Sequence, residues 1–185
     1  MLTTCRSLRL ALLAAGLQSG ALLAVAPPAL LAPAGAQPAP APAPGLTPEG
    51  RPVRPPGFLL LEERQSFDGL WAVGVFGAVA DPAQPGLWRV QLWEERQDRV
   101  VVSTDKVSCD PAAPLRITGR GRQLIVRELN PGGAVTATNR LDHQIWWAVC
   151  HPSLAGRDPA TLAPAARRLG FDGQRPEREQ ILPAP

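Results

Sequence analysis

The chain of 185 residues carries 19 lysines and arginines against 16 aspartates and glutamates, a formal net charge of +3. Two of the basic residues, Arg6 and Arg9, precede an apolar run, and without that leader 17 basic residues face 16 acidic ones, a net charge of +1. Whole-protein attraction to nucleic acid is therefore not indicated.

Residues 1–36 have the build of a secretory signal peptide: a short basic start, a mostly apolar run over 10–26 and the small-residue site Ala34-Gly35-Ala36. A membrane anchor needs about 20 apolar residues, whereas this run has 17 and is interrupted by Gln18-Ser19-Gly20. A removable signal is expected, and with it export to the periplasm or the cell exterior. Arg6 and Arg9 are not adjacent, so a twin-arginine signal is not supported, and Cys5 precedes the apolar run, so it cannot become a lipidated N-terminus. No later segment is long and apolar enough to span a membrane. Removal of the leader leaves Cys109 and Cys150, an even pair that reads as a disulfide in an exported protein.

Eleven of the 22 prolines fall between Pro27 and Pro56. Such a run cannot sustain helix or sheet ladders, so 37–56 is expected to be a disordered proline- and alanine-rich tether. Polar, proline-bearing 171–185 is expected to be a disordered tail. Between them, 57–170 is long enough for one small domain.

Within that domain, Asp68-Gly69 is a two-residue hairpin signal joining 58–67 to 70–80. The stretch from Asp81 through Pro85-Gly86 breaks the chain. Gln97-Asp98 joins 87–96 to 99–109, and Arg120-Gly121 joins 115–119 to 122–129. Asn130-Pro131-Gly132-Gly133 closes the set as a turn. These links are too short for parallel crossovers, so an antiparallel β-meander of about six strands is expected. The helix over 139–151 has Asn139 as its N-cap and Leu141, Ile145, Ala148 and Val149 as its apolar stripe. Asp158-Pro159 starts a turn, and a short helix over 165–169 ends at Gly170. The fold class is α+β, with the C-terminal helices packed on one face of the sheet.

Alternation across the hairpins assigns Trp88, Val90, Leu92, Val101, Val107 and Cys109 to the core, together with Leu115, Ile117, Leu124 and Val126. The reverse face then gathers Arg89, Trp93, Lys106, Arg116 and Arg127 as a candidate anionic-ligand surface. A solvated sheet face accounts for such a patch in a chain with 18 arginines and one lysine. As a binding surface it suits an acidic glycan, a membrane headgroup layer or an acidic protein, with arginine forks on the anion and Trp93 stacking. The first hairpin is apolar on both faces, with Phe58, Leu60, Trp71, Val73 and Val75 on one and Leu59, Leu61, Phe67, Leu70 and Phe76 on the other. It must be covered twice. Internal burial in a monomer is expected ahead of dimerisation.

No catalytic constellation emerges. Asp142 and His143 are adjacent on a helix and do not face each other, and Ser66, Ser103, Ser108 and Ser153 lack a nucleophile-elbow frame. Cys109, His143, Cys150 and His151 lack the close cysteine pair of a zinc site, so neither metal nor cofactor is expected. Glu62-Glu63-Arg64-Gln65 recurs as Glu94-Glu95-Arg96-Gln97, too short a match to define a repeat. The expectation is an exported, disulfide-stabilised, non-catalytic binding or accessory module of the cell envelope. The alternatives are an exported hydrolase using Ser103 or Ser153 with His143, and a structural subunit assembling through the apolar hairpin 58–80.

Overall fold

The computed structural model describes residues 45–184, apart from Glu49, Asp68 and Asp98. The expected signal peptide and residues 37–44 of the expected tether lie outside the described residues. Among the described residues, no helix is long and apolar enough to cross a membrane.

Seven strands pair in chain order, each antiparallel to the next: β1 (Leu59–Ser66), β2 (Gly69–Ala80), β3 (Leu87–Arg96), β4 (Arg99–Ser108), β5 (Leu115–Arg120), β6 (Gln123–Glu128) and β7 (Arg178–Pro183). Between β6 and β7 the chain forms α1 (Arg140–Cys150) and α2 (Ala163–Arg168), linked through 3₁₀ turns at Pro152–Leu154 and Pro159–Thr161. The architecture is an antiparallel meander with C-terminal helices, and it has seven strands, not six. The seventh comes from 171–185, where a tail was expected. Every side chain of β7 is exposed, so no alternation of burial marks it in sequence. It is held by a backbone ladder to β6, from Gln123↔Pro183 to Glu128↔Arg178, and by the Arg127–Glu179 ion pair across it.

The described part of the expected tether is not free either. Pro52 is buried, and Arg51 and Arg54 both reach Glu63 and Glu95 on the sheet. Proline bars this segment from a ladder but not from packing against one.

The core lies between α1 and one sheet face, where Val73, Val75, Val90, Leu92 and Val107 meet Ile145, Trp146, Trp147 and Val149. Leu61 joins them because a bulge between Leu60 and Glu62 inserts one extra residue in β1. Ile145 and Val149 are buried as the helical spacing requires, and Leu141 is half-buried. The indole of Trp146 donates its N–H to the Ser108 carbonyl at 2.9 Å, so this large ring is buried without leaving its polar atom unpaired. Just beyond, the Cys109–Cys150 disulfide joins the end of β4 to the last turn of α1, with Cα atoms 5.4 Å apart.

The hairpin Gln97-Asp98 closes on Arg96↔Arg99, with Gln97 at φ +55°. Two other turns sit one residue from their expected places. The first closes on Ser66↔Gly69 and the last on Arg120↔Gln123. Gly69 and Gly121 keep the positive φ that marked them, +110° and +60°, but the turn forms beside the position that the two-residue template assigns.

Candidate functional site

Residues directly opposite across a strand pair share a face. Arg89 lies opposite Lys106 and Trp93 opposite Val102, so these cations and Trp93 stand on the face away from α1. Arg116 lies opposite Val107, and Arg127 opposite Arg116, which places both arginines on the helix side. The expected five-residue surface is therefore divided between two faces. Its error arises between β4 and β5, which are joined by residues 109–114 and not by a two-residue turn, so alternation does not carry across. The same slip exchanges the assigned core: Ile125 is buried, whereas Leu115, Ile117, Leu124 and Val126 are half-buried on the outer face. Val101, also assigned to the core, lies beyond the cover of α1 and is exposed.

Inside, Arg116 is 6% exposed and fully engaged. Its Nε and Nη2 donate to Asp105 Oδ2 at 2.8 and 2.6 Å, and its Nη1 donates to Asp142 Oδ1 at 2.5 Å. Arg127 Nε stands 3.6 Å from Asp142 Oδ2 and 2.9 Å from Glu179 Oε2. Burial raises the Asp105 carboxyl above its ordinary range, and the Arg116 charge pulls it back down. The cluster ties α1 to four strands. Its work is attachment, because every charge faces a partner.

His143 is completely buried, and its Nε2 lies 2.7 Å from Glu177 Oε1. The same carboxylate accepts from the Asn130 amide at 3.1 Å and from Asn139 Nδ2 at 2.8 Å. Asn139 precedes α1 as expected, yet its side chain makes no cap bond to the helix; its Oδ1 accepts from the Thr136 amide instead. Arg175 Nη1 donates to the Ala112 carbonyl at 2.7 Å, completing a clasp that leads the chain into β7. No serine among the described residues bonds to His143. The groove between α1 and β6–β7 is lined by Arg127, Asn139, Asp142, Glu177 and Glu179, whose polar groups already engage one another. His151 lies against the Trp146 and Trp147 rings, and burial lowers its pKa.

Outside, Trp93 is only 3% exposed. Phe58 and Phe76 meet its ring edge-on at 6.2 and 6.3 Å, so it is not available for stacking on a ligand. Beside it Glu95, wholly buried, pairs with Arg51 at 3.3 Å and Arg54 at 3.2 Å. Arg54 also bonds Glu63 at 2.6 Å, and that hydrogen bond is the main reason why the Glu63 carboxyl titrates below its ordinary range. These residues escaped the sequence argument, although a signal was present. The recurring Glu-Glu-Arg-Gln places Glu63 and Glu95 on either side of Ala72, making a pair of carboxylates that two arginines can bridge.

What remains open on this face is Arg89 and Lys106. Both are exposed, they stand directly opposite each other, and neither has an ion pair among the described residues. The Thr104 hydroxyl donates to Gln91 Oε1 alongside them at 3.1 Å, and Val79 is exposed nearby. Like charges placed directly opposite destabilise a strand pair. An anion seated between them would reverse that sign. No family model, curated protein or solved structure matches this chain.

Proposed function

We propose that this chain is an exported, disulfide-stabilised, non-catalytic binding or accessory module of the cell envelope that holds an anionic partner on the outer face of its sheet. One observation carries it: Arg89 and Lys106 form a directly opposed cation pair on an open face, with no carboxylate supplied by the described residues. A guanidinium fork suits the two oxygens of a carboxylate or phosphate, and the ammonium beside it adds a compact point charge. The leader and the single cysteine pair support an oxidising compartment.

The test uses the full chain with vesicles containing an anionic phospholipid, with neutral vesicles and with an acidic polysaccharide. Binding to an anionic probe is expected to weaken as salt rises, because exposed charges are screened within about 10 Å at 0.1 M. Comparison of the two probes distinguishes a headgroup layer from a glycan. The double variant Arg89→Glu, Lys106→Glu is expected to lose binding with an unchanged melting midpoint. Undiminished binding by that variant, or equal binding to neutral vesicles, means that the face is merely solvated. Export is tested by fractionation. A chain starting after Ala36 with its cysteine peptides linked supports it, and a retained leader with two alkylatable thiols refutes it.

A further inference from the structure

We propose that the outer edge of β4, over residues 99–104, accepts an extended acidic segment of another protein as an added strand. β4 pairs with β3 along its whole length, yet it meets β5 only from Asp105 to Ser108. Beyond Asp105 the sheet forks. β5 runs on through Gly119 and Arg120 without a partner on β4, and the space beside Gly119 is empty enough that a side chain there would touch nothing within 4 Å. One strand is thus interior at one end and an edge at the other.

The orientation of that edge follows from its turn. A two-residue hairpin closes on a hydrogen-bonded pair, here Arg96↔Arg99, and bonded pairs then alternate along the ladder. Val100, Val102 and Thr104 therefore direct their N–H and C=O groups away from β3. No loop or terminal backbone group among the described residues bonds to them. The side chains are β-branched and open, with Val101 56% and Val102 37% exposed. The other two edges are blunted in ways β4 is not. β1 carries a bulge and the run Glu62-Glu63-Arg64, and β7 carries Arg178, Glu179 and Pro183.

Charge selects the occupant. Arg64, Trp71, Arg96 and Arg99 form one cross-strand row, with the Arg64 guanidinium 4.4 Å from the Trp71 ring. Arg96 and Arg99 face each other with no ion pair among the described residues. A strand laid beside β4 sets one residue directly opposite Arg99 on that face, where a carboxylate offsets the repulsion. The next position on the same face lies opposite Val101 and suits an apolar side chain. A second copy of this chain would instead bring another arginine-rich row to the same edge. The charged row of this site, Arg96 and Arg99, lies on the opposite face and at the opposite end of β4 from Lys106, so its charge selection is separate from that of Arg89 and Lys106.

The probes are two blocked hexapeptides of alternating threonine and valine, one ending in glutamates and one in lysines, added to the full chain. Slowed amide exchange at Val100, Val102 and Thr104 with the acidic peptide alone is the expected result. Affinity is expected to fall at least tenfold in Val102→Pro, which removes an outward N–H, and in Arg99→Glu. Reversal of Arg89 and Lys106 should leave it unchanged. Val101→Glu, at an exposed position on the Arg99 face, repels an acidic strand without touching the core and repeats the test if the proline variant does not fold. Equal protection by both peptides, no protection by either, or protection of the same amides by concentration-dependent dimerisation overturns the proposal.

Discussion

Two opposed cation pairs lie on the two faces of this sheet, and they have different fates. Arg116 and Arg127 face α1, where Asp105, Asp142 and Glu179 surround them. Arg89 and Lys106 face outward with no acidic partner among the described residues. The cross-strand motif is the same in both. Its consequence is set by the element above it: a helix that brings a carboxylate turns like charges into an attachment, whereas an open face leaves them facing each other with no carboxylate from the described residues.

The largest effect should come from removing the carboxylate that α1 contributes. Asp142→Ala leaves Arg116 buried with half of its compensation gone, and loss of one partner from a buried pair costs about 3 to 5 kcal/mol. Chemical denaturation measures it, and a midpoint shift equal to that of an exposed substitution would mean that the cluster does not hold the helix. The other end of α1 is held covalently. Replacing both Cys109 and Cys150 by Ala should cost about 4 kcal/mol, because the unfolded chain regains the freedom of a 41-residue separation.

A smaller effect separates the covered part of the outer face from the open part. Glu63 has its pKa lowered in the folded state, chiefly by the hydrogen bond from Arg54. Its contribution is therefore complete above the ordinary carboxylate range and is lost as pH falls through the lowered folded value. Acid should loosen residues 51–58 from the sheet before the core melts, read as faster proteolysis in that segment. Glu63→Gln should loosen it already at neutral pH and flatten the acid dependence. Least of all, Arg89→Ala should change stability by within about 0.5 kcal/mol, as at other exposed sites, with the sign toward stabilisation if repulsion from Lys106 is felt. A loss of several kcal/mol there would place Arg89 in the same class as Arg116.

The legible parts were those in which neighbouring residues decide the outcome. Glycine and proline marked the turns to within one residue, alternation separated Val90 and Leu92 from Arg89 and Gln91, and helical spacing found Ile145 and Val149. The site was legible only in half. Arg89 with Lys106, and Arg116 with Arg127, were each correctly joined across a tight turn, but the two pairs were wrongly placed on one face because residues 109–114 carry no register. Trp93 was recognised as a tryptophan on a polar face, while the rings that cover it, Phe58 and Phe76, come from residues 58–80, whose contacts across the sheet no local pattern specifies.

From the sequence alone came the meander, the helix stripe, the pairing of Cys109 with Cys150 and the alternation within each hairpin, because these depend on local dihedral preference and short-range periodicity. Only the tertiary structure decided which face α1 covers, where Arg51 and Arg54 find their carboxylates, that residues 178–183 complete the sheet and that β4 ends as an open edge. Those outcomes depend on partners tens of residues away, and the backbone bonds and buried charges that secure them leave no periodic trace in the chain.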